Sequence, residues 1–181
     1  MNFQFNVKTN DQDYLDYNMF WILRSPYGKK QTRLYRIAFT VFICACMIIS
    51  LLLGDFTAEA FIGIIPLAIL LVLAQVLLPK FALWAMKGQI KMMKKSGKMG
   101  YSPESLIVFS EETFSEITPE NKIEQKYSVI EHISVVDNKT MYIHVNNIMA
   151  YILPLSCFES LEQYNSFMEF IKTKCNQINF Y

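Results

Sequence analysis

The sequence predicts an α+β membrane protein, in which a two-helix transmembrane hairpin precedes a bent antiparallel β-sheet capped by a C-terminal α-helix. Three observations support this fold class. Of the 181 residues, 52% are hydrophobic and 18% are charged, a more apolar composition than that of soluble domains. Two uncharged apolar runs lie close together in the first half of the chain. Short segments of alternating polarity fill the second half, and the 14 Phe, 10 Tyr and 10 Met residues exclude a disordered chain.

The N-terminal segment predicts one strand and one helix. Polar and apolar side chains alternate from Asn2 to Val7, which is the period of a half-buried strand. Because an isolated strand is not stable, we expect it to be added to the sheet of the C-terminal region. Thr9 and Gln12 have the spacing of a capping box, so an amphipathic helix is predicted to begin there. Pro26 and Gly28 are expected to end it.

The two apolar runs have the length of membrane spans. Ile37–Leu53 contains 17 uncharged residues and Ala60–Leu78 contains 19, and the first run reaches from 34 to 53 if the charge of Arg36 extends to the interface. About 20 residues of helix cross a hydrocarbon core. A pair of buried helices in a soluble protein is the alternative, but it requires a larger soluble shell than this chain supplies. A cleaved signal peptide would have a shorter apolar core nearer the N-terminus.

The flanking charges predict the orientation of the hairpin. Residues 24–98 carry eleven basic side chains and two acidic ones, Asp55 and Glu59, which lie between the apolar runs. A six-residue linker requires an antiparallel hairpin, so both outer ends emerge on the same side. By the positive-inside rule that side is the cytoplasm. We therefore expect a multi-pass membrane protein with both termini cytoplasmic.

Lysines follow the second run at helical spacing. They are predicted to form an inner-leaflet basic stripe on a helix that leaves the membrane: Lys80, Lys87, Lys91, Lys94, Lys95 and Lys98. Trp84 has the position of an interfacial anchor. Such a stripe attracts anionic lipid headgroups, or it does no more than set the orientation of the hairpin. Ser96, Gly97 and Gly100 are expected to end the helix.

One amide and one proline interrupt the second run. Gln75 is expected to hydrogen-bond to the first helix or to another copy of the chain, unless it lies shallow at the interface. Pro66 predicts a mild kink. The middle of neither run contains an ionisable residue, which argues against an ion or proton pathway through the hairpin.

The C-terminal region predicts a meander of short strands followed by one helix. Alternating segments separated by turn residues give six strands, at 105–109, 113–118, 122–127, 131–137, 141–145 and 148–153. Ser160 and Gln163 form a second capping-box spacing. The helix that follows has an apolar stripe that needs a sheet face to cover: Leu161, Tyr164, Phe167, Met168, Ile171, Cys175 and Ile178.

The sequence offers no catalytic, cofactor-binding or metal site. His132 and His144 are both predicted on strands without Cys, Asp or Glu at ligand spacing. A nucleophile elbow, a phosphate-binding glycine loop and a zinc-protease motif are all missing from the sequence. Four cysteines, Cys44, Cys46, Cys157 and Cys175, lack metal spacing and are interpreted as small hydrophobic residues. An enzyme is therefore not predicted, and a net charge of +1 gives no field for nucleic acid.

Several of these features together look like the YcxB-like family of bacterial membrane proteins. They are two tandem spans, the turn-forming segment Tyr127–Ile130, and paired strands in which Ile152–Pro154 leads to Phe158 and a final helix. The resemblance implies a bacterial cell-membrane protein with two spans and a cytosolic domain similar to pleckstrin homology (PH-like). It implies no established activity.

The predicted organisation has three parts and leaves two functions open. The first function is a non-enzymatic membrane protein that presents a PH-like interaction module at the inner leaflet, where its partners are the bilayer and either anionic lipid headgroups or another membrane protein. The alternative is a structural or regulatory subunit of a larger membrane complex. The three parts are a cytosolic strand and helix at 1–33, a hairpin with its basic juxtamembrane helix at 34–98, and a cytosolic β domain at 99–181.

Overall fold

A computed structural model describes residues 2–97, 99–146 and 149–181. The fold is α+β, with two long apolar helices followed by an antiparallel sheet and a mixed sheet. Four helices are present in the described residues: α1 Asp11–Leu23, α2 Pro26–Leu53, α3 Ala58–Ser96 and α4 Leu161–Lys172. The strands are β1 Phe3–Lys8, β2 Glu104–Phe109, β3 Thr113–Ile117, β4 Lys122–Lys126, β5 His132–Val136, β6 Thr140–His144, β7 Ala150–Pro154 and β8 Ile178–Phe180.

The chain divides into two compact units. The helical unit is Asn18–Lys91, and the β unit combines Met1–Tyr17 with Met92–Tyr181. The N-terminal strand and the C-terminal strands therefore belong to the same unit although the two long apolar segments separate them in sequence.

The β unit contains two four-stranded sheets. The first has the order β1-β2-β3-β4 and is antiparallel throughout, with Phe5 opposite Ile107 at the pairing of β1 with β2. The addition of the N-terminal strand to a C-terminal sheet is thus present, as the alternation predicts. The second sheet has the order β7-β6-β5-β8, and its β8 runs parallel to β5.

One apolar core joins the two sheets and α4. Phe167 of α4 is fully buried, and its ring lies 5.2 Å from that of Phe5 and 4.9 Å from that of Phe109, both edge to face. Edge-to-face pairs of this kind add about 0.5 to 1.5 kcal/mol each beyond the burial of their area. Ser160 caps α4 at the predicted position, because its hydroxyl accepts from the Gln163 amide at 3.1 Å, while the Gln163 side chain accepts from the amide of Glu159 at 2.8 Å.

The predicted end of this last helix is wrong. Cys175 and Ile178 do not continue α4, which ends at Lys172. The backbone beyond it instead finds partners on β5, where Ile178 pairs with Ile133. The spacing of Ile178 fits a helical stripe and a buried strand equally well, and ladder hydrogen bonds to β5 decide between them.

Two other helix starts differ from the sequence prediction. Asn10 rather than Thr9 caps α1, since its side chain accepts from the amides of Gln12 and Asp13 at 2.7 and 3.1 Å. Pro26 follows the end of α1 as predicted, but it also begins α2, with Ser25 as its N-cap, eight residues before the predicted start of the first span at 34. Proline is favoured at this first helical position because its missing N–H has no partner there in any helix.

The long helices are continuous and expose their apolar side chains. Their most apolar 18-residue windows are 6% buried in α2 and 0% buried in α3, and each helix is long and apolar enough to cross a membrane. The helix α3 remains helical through Pro66 and Pro79. It ends at Ser96, followed by Gly97 at φ 68°, as the predicted helix end requires.

Candidate functional site

The basic stripe lies along one face of α3. At 100° per residue, the five described lysines fall within an arc of about 100° on this continuous helix, and all five are exposed. Trp84 is on the same arc and is 71% exposed. Lys98, the sixth lysine of the predicted stripe, lies outside the described residues.

Lys94 is already partnered within the β unit. Its ammonium group forms an ion pair with Asp11, which also accepts a hydrogen bond from the Tyr101 hydroxyl at 2.6 Å. The Lys94 contact and then the Tyr101 hydrogen bond lower the pKa of the Asp11 carboxyl. Burial and the bond to Asp11 raise the pKa of Tyr101 to about 12. Lys94 therefore connects the start of α1 to the end of α3 through this ion pair.

The amide of Gln75 connects the two long helices. Its Nε2 donates to the Thr40 hydroxyl at 3.2 Å and approaches the Arg36 carbonyl at 3.5 Å. The Thr40 hydroxyl in turn donates to the Arg36 carbonyl at 2.8 Å. The predicted hydrogen bond to the first helix is therefore present, and Gln75 also lies at the level of Arg36, near the end of the apolar runs.

The two histidines lie side by side on consecutive strands of the β unit. His132 and His144 are directly opposite each other on β5 and β6, and their rings stack with centroids 4.1 Å apart. Burial lowers the pKa of both side chains, and that of His144 falls to about 3, with a further contribution from His132. Both imidazoles are therefore neutral at physiological pH. Among residues 2–97, 99–146 and 149–181, no group of three His, Cys, Asp or Glu side chains is placed to hold a metal ion.

The four cysteines differ in their exposure. All four are free thiols, with Cys175 buried and Cys44 exposed on α2. Burial, followed by the charge of Asp13, raises the pKa of the Cys157 thiol, which opposes formation of a reactive thiolate.

A pocket that the sequence did not predict lies at the corner between α1 and α2 in the helical unit. It has a volume of about 270 Å³ and is lined by two apolar residues of α1 and four polar or charged residues of α2: Ile22, Leu23, Lys29, Thr32, Arg33 and Arg36. The spacing of Lys29, Arg33 and Arg36 places them on one face of α2, which is a signal the sequence does carry. From the sequence alone, these charges are expected only to flank the first span and set its orientation.

A second depression lies at one end of the first sheet of the β unit. It has a volume of about 550 Å³ and is formed by the ends of β1, β2 and β3. Lys8 and Glu104 form an exposed ion pair of 3.6 Å on its rim. Exposed pairs of this kind contribute little to stability.

Comparison with known proteins gives no relative. No protein-family model, no curated protein and no solved structure matches this chain significantly.

Proposed function

We propose that this chain is a non-enzymatic integral membrane protein that presents a PH-like interaction module at the inner leaflet of a bacterial cell membrane. The observation that carries the proposal is the exposure of the two long apolar helices, whose most apolar windows are 6% and 0% buried. Helices of a soluble core would be covered by the rest of their own chain. Exposing this much contiguous apolar surface to water is unfavourable by about 25 cal/mol per Å², and lipid removes that cost.

The arrangement of the β unit supports the PH-like part of the proposal. An antiparallel four-stranded sheet, a second sheet built on three consecutive antiparallel strands and a helix that closes the shared core agree with a domain similar to pleckstrin homology. Tethering such a domain to a membrane raises its local concentration at the inner leaflet, so a weak contact with a partner suffices. The YcxB-like resemblance of the sequence has the same architecture.

The distribution of charge supports an orientation with both termini cytoplasmic. Asp55 lies in the turn between α2 and α3 and Glu59 in the first turn of α3, whereas the basic residues lie at the opposite ends of these helices. The β unit then faces the cytosol, where residues 99–181 carry eleven acidic and five basic side chains. A domain of this charge favours a protein partner over an anionic bilayer. Contact with anionic lipid is then made by the basic stripe.

Cysteine accessibility tests location and orientation together. In a chain whose four cysteines are replaced by serine, Asp55→Cys should react with a membrane-impermeant maleimide on intact cells, whereas Lys139→Cys should react only after the cells are opened. Both positions are exposed, so the comparison reports sidedness. Labelling of Asp55→Cys only in opened cells would contradict the orientation, and a monodisperse chain in buffer without detergent would contradict the membrane location.

Co-purification separates the module from the alternative of a subunit in a larger complex. In mild detergent, a subunit should retain a stoichiometric membrane partner, whereas a tethered module should elute alone. A companion protein at one copy per chain would support the subunit.

A further inference from the structure

The pocket between α1 and α2 is lined by three basic side chains, and side-chain hydroxyl groups hydrogen-bond to the backbone where the two helices meet. Ser25 caps α2, with its hydroxyl accepting from the Gly28 amide at 2.9 Å and donating to the Trp21 carbonyl at 2.6 Å. The Thr32 hydroxyl donates to the Ile22 carbonyl at 3.3 Å. Hydroxyl groups thus satisfy these two carbonyls at the end of α1.

One hydrogen-bond donor of the Arg36 guanidinium, the Nε–H group, is buried and unsatisfied, since it has no hydrogen-bond partner among the residues that the structure describes. A buried donor without an acceptor costs about 1 to 3 kcal/mol, and more when the group is charged. The fork geometry of arginine matches the oxygens of phosphate, so an anion in the pocket would satisfy this donor.

No acidic side chain in the nearby sequence offsets the pocket's charge. Between Asn18 and Gly54 the sequence has five basic residues and no Asp or Glu. The acids of the helical unit, Asp55 and Glu59, follow the end of α2, about 25 Å of helix beyond Arg36 at 1.5 Å per residue. The positive end of the α2 dipole lies close to Lys29, near the start of the helix, and adds to the field there.

The level of the pocket in the hairpin matches the headgroup region. Arg36 immediately precedes the uncharged run of α2, and its carbonyl is at the level of Gln75 on α3. Lys80 follows one and a half turns later on α3, where the apolar run has ended. Phosphate groups of the inner leaflet lie at this boundary between hydrocarbon and water.

We propose that the pocket binds the phosphate group of an anionic ligand, with Arg36 and Arg33 as its hydrogen-bonding fork and Lys29 as an additional charge. Two sources share this chemistry: the headgroup of an anionic phospholipid and a soluble phosphate ester. The inference rests on the membrane location proposed above for α2 and α3, and it is distinct from the basic stripe of α3.

Native mass spectrometry of the full chain in neutral detergent tests the site. Equal amounts of phosphatidylglycerol and phosphatidylcholine are added, and the occupancy of each adduct is measured. A separate titration uses glycerol 3-phosphate without added lipid. We expect a preference for phosphatidylglycerol that falls about tenfold in the charge-conserving variant Arg33→Lys/Arg36→Lys, because lysine keeps the charge and loses the fork.

Two control variants distinguish a specific phosphate site from nonspecific electrostatic binding of anionic lipid. Arg24→Lys makes the same exchange outside the pocket and should leave the preference unchanged, and Lys30→Gln removes one exposed charge from the same helix and should lower it no more than about fivefold. Saturable binding of glycerol 3-phosphate that is lost in Arg33→Lys/Arg36→Lys would also support the phosphate site and would identify a soluble source.

The proposal is overturned if the chain has no preference for either phosphate probe, or if Arg33→Lys/Arg36→Lys behaves like wild type. Size-exclusion chromatography in detergent must find all three variants monodisperse, and the charge-conserving exchange keeps the topology signal intact. If the chain requires detergent but binds neither probe, the phosphate site is refuted and the proposed membrane function is unaffected. If the chain is soluble without detergent, the proposed membrane function itself is refuted.

Discussion

The imidazole rings of His132 and His144 are stacked in nearly parallel planes, 13° apart, with their centroids separated by 4.1 Å. His144 is 1% exposed, and the ring of Tyr17 from α1 lies 6.2 Å from it. Two imidazolium ions could not occupy these positions, because each would repel the other in a site that also lacks solvent. The pair is therefore held neutral by the fold.

Acid should destabilise the β unit through His144. Its pKa is near 6.5 when unfolded and about 3 when folded, so the unfolded chain binds the additional proton and stability falls as the pH drops below about 6.5. The loss between pH 7 and pH 5 should be about 2 kcal/mol. Denaturant unfolding of wild type and His144→Phe at both pH values measures it.

The comparison with His144→Phe isolates this residue from the carboxylates that also titrate in acid. The variant should lose less stability than wild type over the same interval. Equal losses in the two proteins would contradict the assignment. His132→Gln should lose an amount of stability between those of wild type and His144→Phe. Burial lowers the pKa of His132 as well, but the nearby Glu131 opposes that shift.

The histidine pair also illustrates which part of the fold the sequence could predict. Alternation predicted β5 and β6 as strands with one apolar face, and both are present. It could not predict that the polar face would be buried as well: Ser134 is 1% exposed and Tyr142 is 3% exposed. Tyr17 of α1 packs edge to face on Tyr142 at 5.1 Å, so the cover comes from residues more than 100 positions away.

The candidate sites divide in the same way. The lysine stripe follows from local helical spacing, which the sequence carries in full. Two other features depend on which segments meet after folding. They are the ion pair of Lys94 with Asp11 and the hydrogen bond of Gln75 to Thr40. The pocket at Arg36 depends on how the chain turns at Ser25, and only the three-residue and four-residue spacings of its cations were visible beforehand.

Gly28 should tolerate no side chain at the corner between α1 and α2. A methyl group added there would lie 2.8 Å from the Ile22 carbonyl oxygen and closer still to that of Trp21, and both are backbone atoms. Overpacking of this kind costs about 1 to 3 kcal/mol. Thermal unfolding in detergent of Gly28→Ala, followed by near-UV circular dichroism, should therefore report a lower midpoint.

Gly88→Ala is the matched control for this exchange. Gly88 is also within a helix of the same unit, and a methyl group there would meet nothing within 4 Å. Alanine should stabilise that helix by up to about 1 kcal/mol. A lower midpoint in both variants would mean that the corner contact is not the cause.

The contact between Gln75 and Thr40 should contribute a small coupling energy to the hairpin. Hydrogen bonds between helices in membranes average about 0.6 kcal/mol. A double-mutant cycle of Gln75→Leu and Thr40→Val, measured by reversible unfolding in mixed micelles, should give a coupling of that size. Strict additivity of the two substitutions would contradict the contact.

Lys94 should control the titration of Asp11. Removing the ammonium group in Lys94→Gln takes away the largest cause of the lowered carboxyl pKa, so that pKa should rise towards its ordinary value. Tyr101→Phe should raise it as well, since a second hydrogen bond is lost. Carboxyl carbon shifts in an NMR titration measure both, and Lys95→Gln, which removes the neighbouring charge on the same helix, should leave Asp11 unchanged.

Reversal of the basic stripe should disturb the orientation of the hairpin. Replacing Lys87, Lys91, Lys94 and Lys95 with Glu removes four positive charges beside the second span and adds four negative ones, and positive charges close to a span dominate its sidedness. The Asp55→Cys probe should then become accessible from the cytosol in part or all of the molecules.

The same number of exchanges at Lys122, Lys126, Lys139 and Lys172, which lie in the β unit far along the chain from either span, should leave the labelling pattern of the parent protein. If both sets left Asp55→Cys outside, the charges of α3 would not determine topology, and the basic residues that precede the first span would have to do so alone.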